Sequence, residues 1–334
     1  MVKNLVSLFA GGGLFTEGAK IEGIFPTGAI EFDEKKAEIY ELNHGDRIDV
    51  VDILEVETWE KYKNCWMLQA SPPCKNSSCR KVYENRSQKT LALAEDVQLA
   101  KAINLAIEEI KPRYFLLENV AGYKGTEAMH LIQETLTSLG YSFRRLDLNS
   151  VDFGVPQKRN RIFLLACLDY QILESLDLSP YYRPRVGWYA GIERHLGTCR
   201  QKTLAAYQVA AIQKAIAAGK ISPNDVAVLV GGAGSNPKRP TVTNCKAPSP
   251  TVRSCEGIRS GGWRPCIVYR EDFYKPLGKA VGYKLSGRCL LALQGVPDSF
   301  VMANEIVTCF VAGNGVSVPV ARSLIKAILD SEAR

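Results

Sequence analysis

The chain reads as an α/β protein, a Rossmann-like sheet joined to a second, smaller domain. Three observations predict it. Short apolar runs recur through the first half and end in glycines, carboxylates or prolines. Segments of helical periodicity separate them, and one stretch of the second half holds the excess positive charge. At 334 residues the chain exceeds one ordinary core, so a large domain with a smaller one is expected.

The elements follow in order. Leu5-Val6-Ser7-Leu8-Phe9 is strand-like, runs into Ala10-Gly11-Gly12-Gly13, and is followed by a helix over 14–21. Strand, glycine turn and helix start form a nucleotide-type cradle, because glycine permits positive φ and close backbone approach. Taken alone, the turn is equally a plain tight turn, since it is not a G-x-G-x-x-G. Gly28-Ala29-Ile30-Glu31 then reads as a second strand, ending in an acid about 20 residues after the glycines, where ribose hydroxyls are held in dinucleotide-type sites. A further acid, Asp52, closes the run 48–51.

Cys65 to Ala70 is a short apolar run that reads as a buried strand delivering Ser71-Pro72-Pro73-Cys74-Lys75 at its carboxyl end. Two prolines exclude a helix interior and stiffen the loop, which suits a thiol that must meet a substrate. Residues 76–90 are polar, rich in Lys and Arg, and read as a mobile loop, a functional lid or a disordered segment. Apolar positions at helical spacing predict a helix over 91–110, stopped at Lys111-Pro112. Tyr114-Phe115-Leu116-Leu117 makes another buried strand ending in Glu118-Asn119-Val120, so its carboxylate can reach the Pro-Pro-Cys loop across the sheet edge. A helix over 126–139 and a strand near 141–148 follow, then Gln157-Lys158-Arg159-Asn160-Arg161 entering the strand 162–166. Alternation places Gln157, Arg159 and Arg161 on one face.

Composition narrows the classes. Hydrophobic residues at 46% and charged residues at 23% fit an ordinary folded protein, no apolar run approaches membrane-spanning length, and the N-terminus has no signal-peptide pattern. A cytoplasmic protein is the expectation. Ten cysteines without C-x-x-C spacing and three isolated histidines indicate neither a disulfide scaffold nor a metal site. Between Pro180 and Arg264 thirteen basic residues face three acids, a local charge of +10 against +7 for the whole chain. The excess sits in one segment, as expected of a surface facing nucleic acid. That segment reads as a helix over 203–218, a strand over 226–230 and a glycine turn over 231–237.

These residues resemble the cytosine-5 DNA methyltransferases of bacterial or phage type. Phe9-Ala10-Gly11-Gly12-Gly13 is similar to the family's cofactor motif, Pro72-Pro73-Cys74 to its nucleophile motif, Glu118-Asn119-Val120 to its acid motif and Gln157 to Arg161 to its Gln-x-Arg-x-Arg motif. Pro248-Ser249-Pro250-Thr251-Val252 resembles the segment after target recognition, and 290–298 and 313–319 resemble the closing motifs. The seven motifs stand in the family's order and leave only about 176–246 uncovered.

The resemblance implies an S-adenosylmethionine-dependent methyltransferase sheet, with a catalytic domain over 1–175, a basic target-recognition domain over 176–266 and a return to the catalytic domain over 267–334. It implies Cys74, Glu118, Arg159 and Arg161 as catalytic residues. S-Adenosylmethionine would lie on Phe9, Ala10, Gly11, Gly12, Gly13, Glu31, Asp52, Ile53, Pro73, Asn314 and Val316. DNA would meet Lys75, Arg80, Gln157, Arg183, Arg185, Lys238, Arg239 and Arg253, and no metal is needed. The implied reaction is methylation of cytosine carbon 5 in double-stranded DNA at a short sequence, by a base flipped from the duplex. The expected state is a monomer, with a cognate restriction endonuclease or another defence system as candidate partner. Methylation of tRNA and a non-catalytic DNA-binding role are the alternatives. The chain departs from the family at Lys75, where Gln is usual, at 76–80, and in its Gly315-Val316-Ser317-Val318-Pro319 ending. A cation at Lys75 could contact phosphate or favour the Cys74 thiolate.

Overall fold

The structure, a computed structural model, describes residues 2–73, 86–231, 240–253 and 265–334, the side chains of 86–92 excepted. Contacts divide the chain into two units, Met1–Asn149 with Asn160–Tyr181 and Val320–Arg334, and Ser150–Arg159 with Tyr182–Pro319.

In the first unit the apolar runs become strands β1 (Asn4–Leu8), β2 (Phe25–Glu31), β3 (Ile48–Val50), β4 (Met67–Ala70), β5 (Tyr114–Asn119), β6 (Ser142–Asn149) and β7 (Asn160–Cys167). Helices α1 (Leu14–Ile21), α2 (Glu34–His44), α3 (Arg86–Ile110), α4 (Glu127–Ser138) and α5 (Tyr170–Ser175) alternate with them. The sheet order is β3-β2-β1-β4-β5-β7-β6. β1 to β5 are parallel, and β7 runs antiparallel to both β5 and β6. Strand order reverses between β1 and β4, the switch point outside which α/β sheets bind ligands at their carboxyl ends.

Leu8, Leu68, Phe115, Leu117 and Leu164 are fully buried and pack with Ile103 and Ile107 of α3 and Ile132 and Leu136 of α4. Each such side chain contributes about 1.5–3 kcal/mol by leaving water, so the central strands are rigid supports for the loops that leave them. The helix expected to start at residue 91 starts at Arg86, five residues inside the segment read as a loop. Apolar periodicity marks only the buried turns of a helix, so a polar first turn leaves no such trace.

The second unit holds α6 (Trp188–Ile192), β8 (Arg200–Thr203), α7 (Ala206–Ala217), β9 (Ala227–Val230), β10 (Val242–Asn244), β11 (Cys266–Tyr269), β12 (Val281–Lys284), α8 (Gly287–Leu293) and α9 (Glu305–Asn314). Its five strands pair antiparallel in the order β10-β9-β11-β12-β8. Val209, Ile212 and Ala215 of α7 cover Val228, Val230 and Val268 of this sheet. This unit continues to Pro319, and β11 and β12 belong to its sheet. The chain ends in α10 (Val318–Glu332), which belongs to the first unit from Val320 onward. There Glu332 accepts hydrogen bonds from Trp66 Nε1 and Tyr114 OH and pairs with Lys3 and Arg113. Among the described residues no single helix is long and apolar enough to cross a membrane.

Candidate active site

The glycine turn leaves β1 through a left-handed backbone. Phe9 and Gly11 both have φ +56° and Gly13 has φ +83°. For Phe9 this is a strained state costing on the order of 1 kcal/mol or more, of the kind that marks functional loops. Among the described residues a Cβ at Gly11 would meet nothing within 4 Å, so space lies open beside Gly11. Glu31, buried at the end of β2, accepts the Gly11 N–H at Oε2 (2.9 Å) and the Asp33 N–H at Oε1 (3.1 Å). Lys36 Nζ also pairs with Oε1 (3.5 Å), so Oε2 is the oxygen with a second lone pair for a ligand hydroxyl. Asp52 is exposed after β3 and caps the turn Ile53–Glu55 through the Leu54 N–H (3.0 Å), while the Ile53 side chain is buried in the core.

Beside it, β4 ends in the proline loop. Ser71 N donates to Leu8 O (3.3 Å), so the loop starts in register with β1. Asn119, buried at the end of β5, donates from Nδ2 to Pro72 O (3.1 Å) and accepts the Val120 N–H (2.8 Å). One amide thus ties the stiff Pro-Pro pair to the neighbouring strand. Pro73 is exposed; Cys74, Lys75 and Arg80 lie outside the described residues. Elsewhere in this unit burial pushes the Cys65 thiol up to about 12 and that of Cys167 up to about 11, as expected of inert packing cysteines.

Glu118 meets Arg161 because β7 is antiparallel. Glu118 faces Phe163 across the ladder, and Arg161, two residues before Phe163, projects from the same face on the diagonal. Arg161 Nε lies 3.0 Å from Glu118 Oε1, and Glu118 is only 5% exposed. The arginine fixes the carboxylate at the sheet edge where β1, β4 and β5 also end.

Gln157 and Arg159 do not share that face. β7 begins at Asn160, and both residues precede it, within the second unit. Gln157 is 0% exposed, donates from Nε2 to Leu293 O (3.1 Å) and accepts the Val252 N–H at Oε1 (2.6 Å). Buried in this way, Gln157 ties Val252 to Leu293. Arg159 is also buried and donates to Val252 O (3.2 Å), Gly313 O (3.1 Å) and Asn314 O (3.1 Å). Through Nη1 and Nη2 it gathers the segment after Pro250 and the end of α9. Gln294 continues the network, donating to Gly315 O (3.3 Å) and accepting from Ser317 Oγ (2.6 Å). Val316 is buried and Asn314 exposed. Arg183 and Arg185 are exposed, with Arg185 paired to Asp152 (3.2 Å), and Arg253 is half-buried. Lys238 and Arg239 lie outside the described residues.

A profile of the C-5 cytosine-specific DNA methylases matches residues 3–330. The chain belongs to this family. It is 28% identical to the Type II methyltransferase M.NgoBI of Neisseria gonorrhoeae, over 96% of this chain and 91% of that one. It is 26% identical to the Type II methyltransferase M.HaeII of Haemophilus aegyptius, over 98% and 92% of the two chains. Among solved structures, the Entamoeba histolytica methyltransferase EhMeth superposes with a TM-score of 0.66 over 99% of both chains at 16% identity, a likeness of fold.

For a cytosine-5 methylase the turn fits S-adenosylmethionine: open space over Gly11, an acid beside it and a switch-point position. Sequence reasoning missed Phe32 and His44. Phe32, directly after Glu31, is 64% exposed with Lys36 Nζ 5.3 Å from its ring centre. An exposed aromatic ring beside a nucleotide-type cradle is of a kind that can stack on a base, and the signal available was its position after the strand-ending acid. His44 is buried against Gly13, which no local pattern announces.

Proposed function

We propose that this chain methylates carbon 5 of cytosine in double-stranded DNA through a covalent adduct at Cys74. The Glu118–Arg161 ion pair, held at the sheet edge where the proline loop also leaves β4, carries this reading. Carbon 5 of cytosine is a weak nucleophile, so a thiolate must first add to carbon 6 and push electron density toward carbon 5. Cys74 supplies the thiolate. Glu118 holds a proton at N3 as charge develops on the ring, and Arg161 orients Glu118 and offsets that charge. Loss of the carbon 5 proton and departure of Cys74 then restore the aromatic ring. S-Adenosylmethionine, when bound, supplies the electrophilic methyl group.

The cofactor is assigned to Phe9, Ala10, Gly11, Gly12 and Gly13, with Glu31 and Asp52 as hydroxyl acceptors and Phe32 as stacking face. Ile53 and Pro73 flank that set. Asn314 and Val316 keep their cofactor assignment on the closing motif alone. The target base is flipped out, because its carbon 5 and carbon 6 faces are covered in a stacked duplex. Phosphate and base contacts are assigned to Lys75, Arg80, Arg183, Arg185, Lys238, Arg239 and Arg253. The catalytic domain is formed by the seven-stranded sheet, and the second unit contains the recognition domain. Two relatives named Type II methyltransferases support a restriction-modification setting; a monomeric enzyme in the cytoplasm with a cognate endonuclease as partner is the remainder of the proposal.

The test is base-resolution 5-methylcytosine mapping of DNA and tRNA from a methylation-free bacterial host expressing the chain, beside a Cys74→Ser control. Protected cytosines in one short DNA context, absent from the control, are expected. Marks confined to tRNA, or none from soluble protein, would overturn the DNA reading.

A further inference from the structure

His44 is a fully buried titratable side chain at the end of α2 that the chemistry above does not use. It sits where Gly13 has no side chain. An ideal Cβ on Gly13 would lie 2.3 Å from both Cδ2 and Nε2 of the imidazole, so the ring occupies that volume. His44 Nε2 is 3.0 Å from Gly13 O, which also accepts the Glu17 N–H (2.8 Å) that opens α1. A carbonyl only accepts, so Nε2 carries the proton. Around the ring stand Glu17 of α1, its Oε2 3.9 Å from Nδ1, and Tyr40 one turn earlier in α2, edge-on at 4.7 Å between centroids. Lys20 of α1 adds positive charge nearby, and burial together with that charge pushes the imidazole down to about 3, leaving it neutral.

The glycine turn is thus held by a side chain at each end, Glu31 on the Gly11 N–H and His44 on the Gly13 carbonyl. Gly11 and Gly13 have little intrinsic preference for one arrangement, and the left-handed backbone at Phe9 is disfavoured, so such holds decide the conformation of the turn. We propose that His44 is a positioning residue for S-adenosylmethionine, acting through the Gly13 carbonyl to keep the turn in its ligand-ready shape. This rests on the reading that the turn holds that cofactor.

The experiment compares full-length wild type, His44→Leu and His44→Gln. Binding of S-adenosylmethionine is read by calorimetry, and kcat and KM for cofactor and duplex DNA are measured well below each thermal midpoint. Loss of one hydrogen bond predicts a Kd and KM for S-adenosylmethionine about five- to tenfold higher in His44→Leu, with kcat and the DNA KM within about twofold. His44→Gln, which can present an amide N–H at the same place, is expected within about twofold of wild type. Unchanged cofactor affinity in His44→Leu overturns the proposal, as does an equal fall in every parameter, which would mark a folding role alone. Wild type that binds no S-adenosylmethionine overturns the cofactor reading, and the proposal with it. A measurement on wild type covers a variant that does not fold: long-range nitrogen–proton NMR is expected to show an Nε2-protonated neutral ring whose signals move on cofactor addition. The other tautomer, or signals that do not move, overturns it.

Discussion

The central strands of the first unit and the outer strands of the second differ in what their residues meet. β4 and β5 are buried along their whole length at the centre of the seven-stranded sheet. β8, Arg200–Thr203, is largely exposed at the edge of its antiparallel sheet, and β10 is half-buried throughout. A strand covered on both faces is apolar at most positions, while an edge strand with one wet face leaves almost no pattern. The chain therefore announces the sheet that carries the chemistry and conceals most of the sheet beside the basic segment. Two arginines two residues apart divide the same way: Arg161 reaches a carboxylate at the edge of the parallel sheet, Arg159 is sunk among carbonyls of the other unit.

Exchanging those arginines for neutral residues breaks the comparison most sharply. Arg161→Ala is expected to lower kcat by about 10²-fold or more, because it removes the group that orients and balances Glu118, with a small change in unfolding midpoint. Arg159→Met is expected to act mainly on stability, about 2–3 kcal/mol by denaturant titration, since two buried carbonyls and a part-buried one lose a charged donor. Single-turnover rates beside unfolding curves decide it; the reverse pattern would exchange the two roles.

His44 supplies a pH-dependent contrast of somewhat smaller size. Its folded pKa is lowered from 6.5 to about 3, so below 6.5 the unfolded chain takes up a proton that the folded ring refuses. Its contribution is fully present above 6.5 and is lost as pH falls toward 3, at no more than about 1.4 kcal/mol per pH unit. Between pH 7 and 5, wild type should lose about 1–2 kcal/mol more than His44→Gln in chemical denaturation. Equal slopes would remove His44 from the acid response. The smallest effect is expected at Phe32→Ala, a three- to tenfold weaker affinity for S-adenosylmethionine from the loss of about 1 kcal/mol of stacking, with unfolding unchanged. Calorimetry that finds equal affinity would leave Phe32 as surface only.

Legibility followed the same physics. The glycine turn, Glu31, the Pro72-Pro73 pair and Glu118 each sit at the end of an apolar run, and each is found at the carboxyl end of a strand. The period-two reading of Gln157, Arg159 and Arg161 on one face failed because alternation is a property of a strand, and the strand begins only at Asn160. β8 left no trace in its polar residues, and β11 and β12 belong to the sheet of the second unit.

By itself the sequence determined the family, the order of its motifs, and which strand ends carry glycine, proline and acid, because burial on both faces writes those strands as apolar runs. Tertiary structure alone decided the partners. Pairing β7 antiparallel to β5 put Arg161 on the diagonal from Glu118, and folding α2 against the glycine turn put His44 where Gly13 has no Cβ. Periodicity tells which way a side chain faces, but what it faces depends on elements far away in the chain.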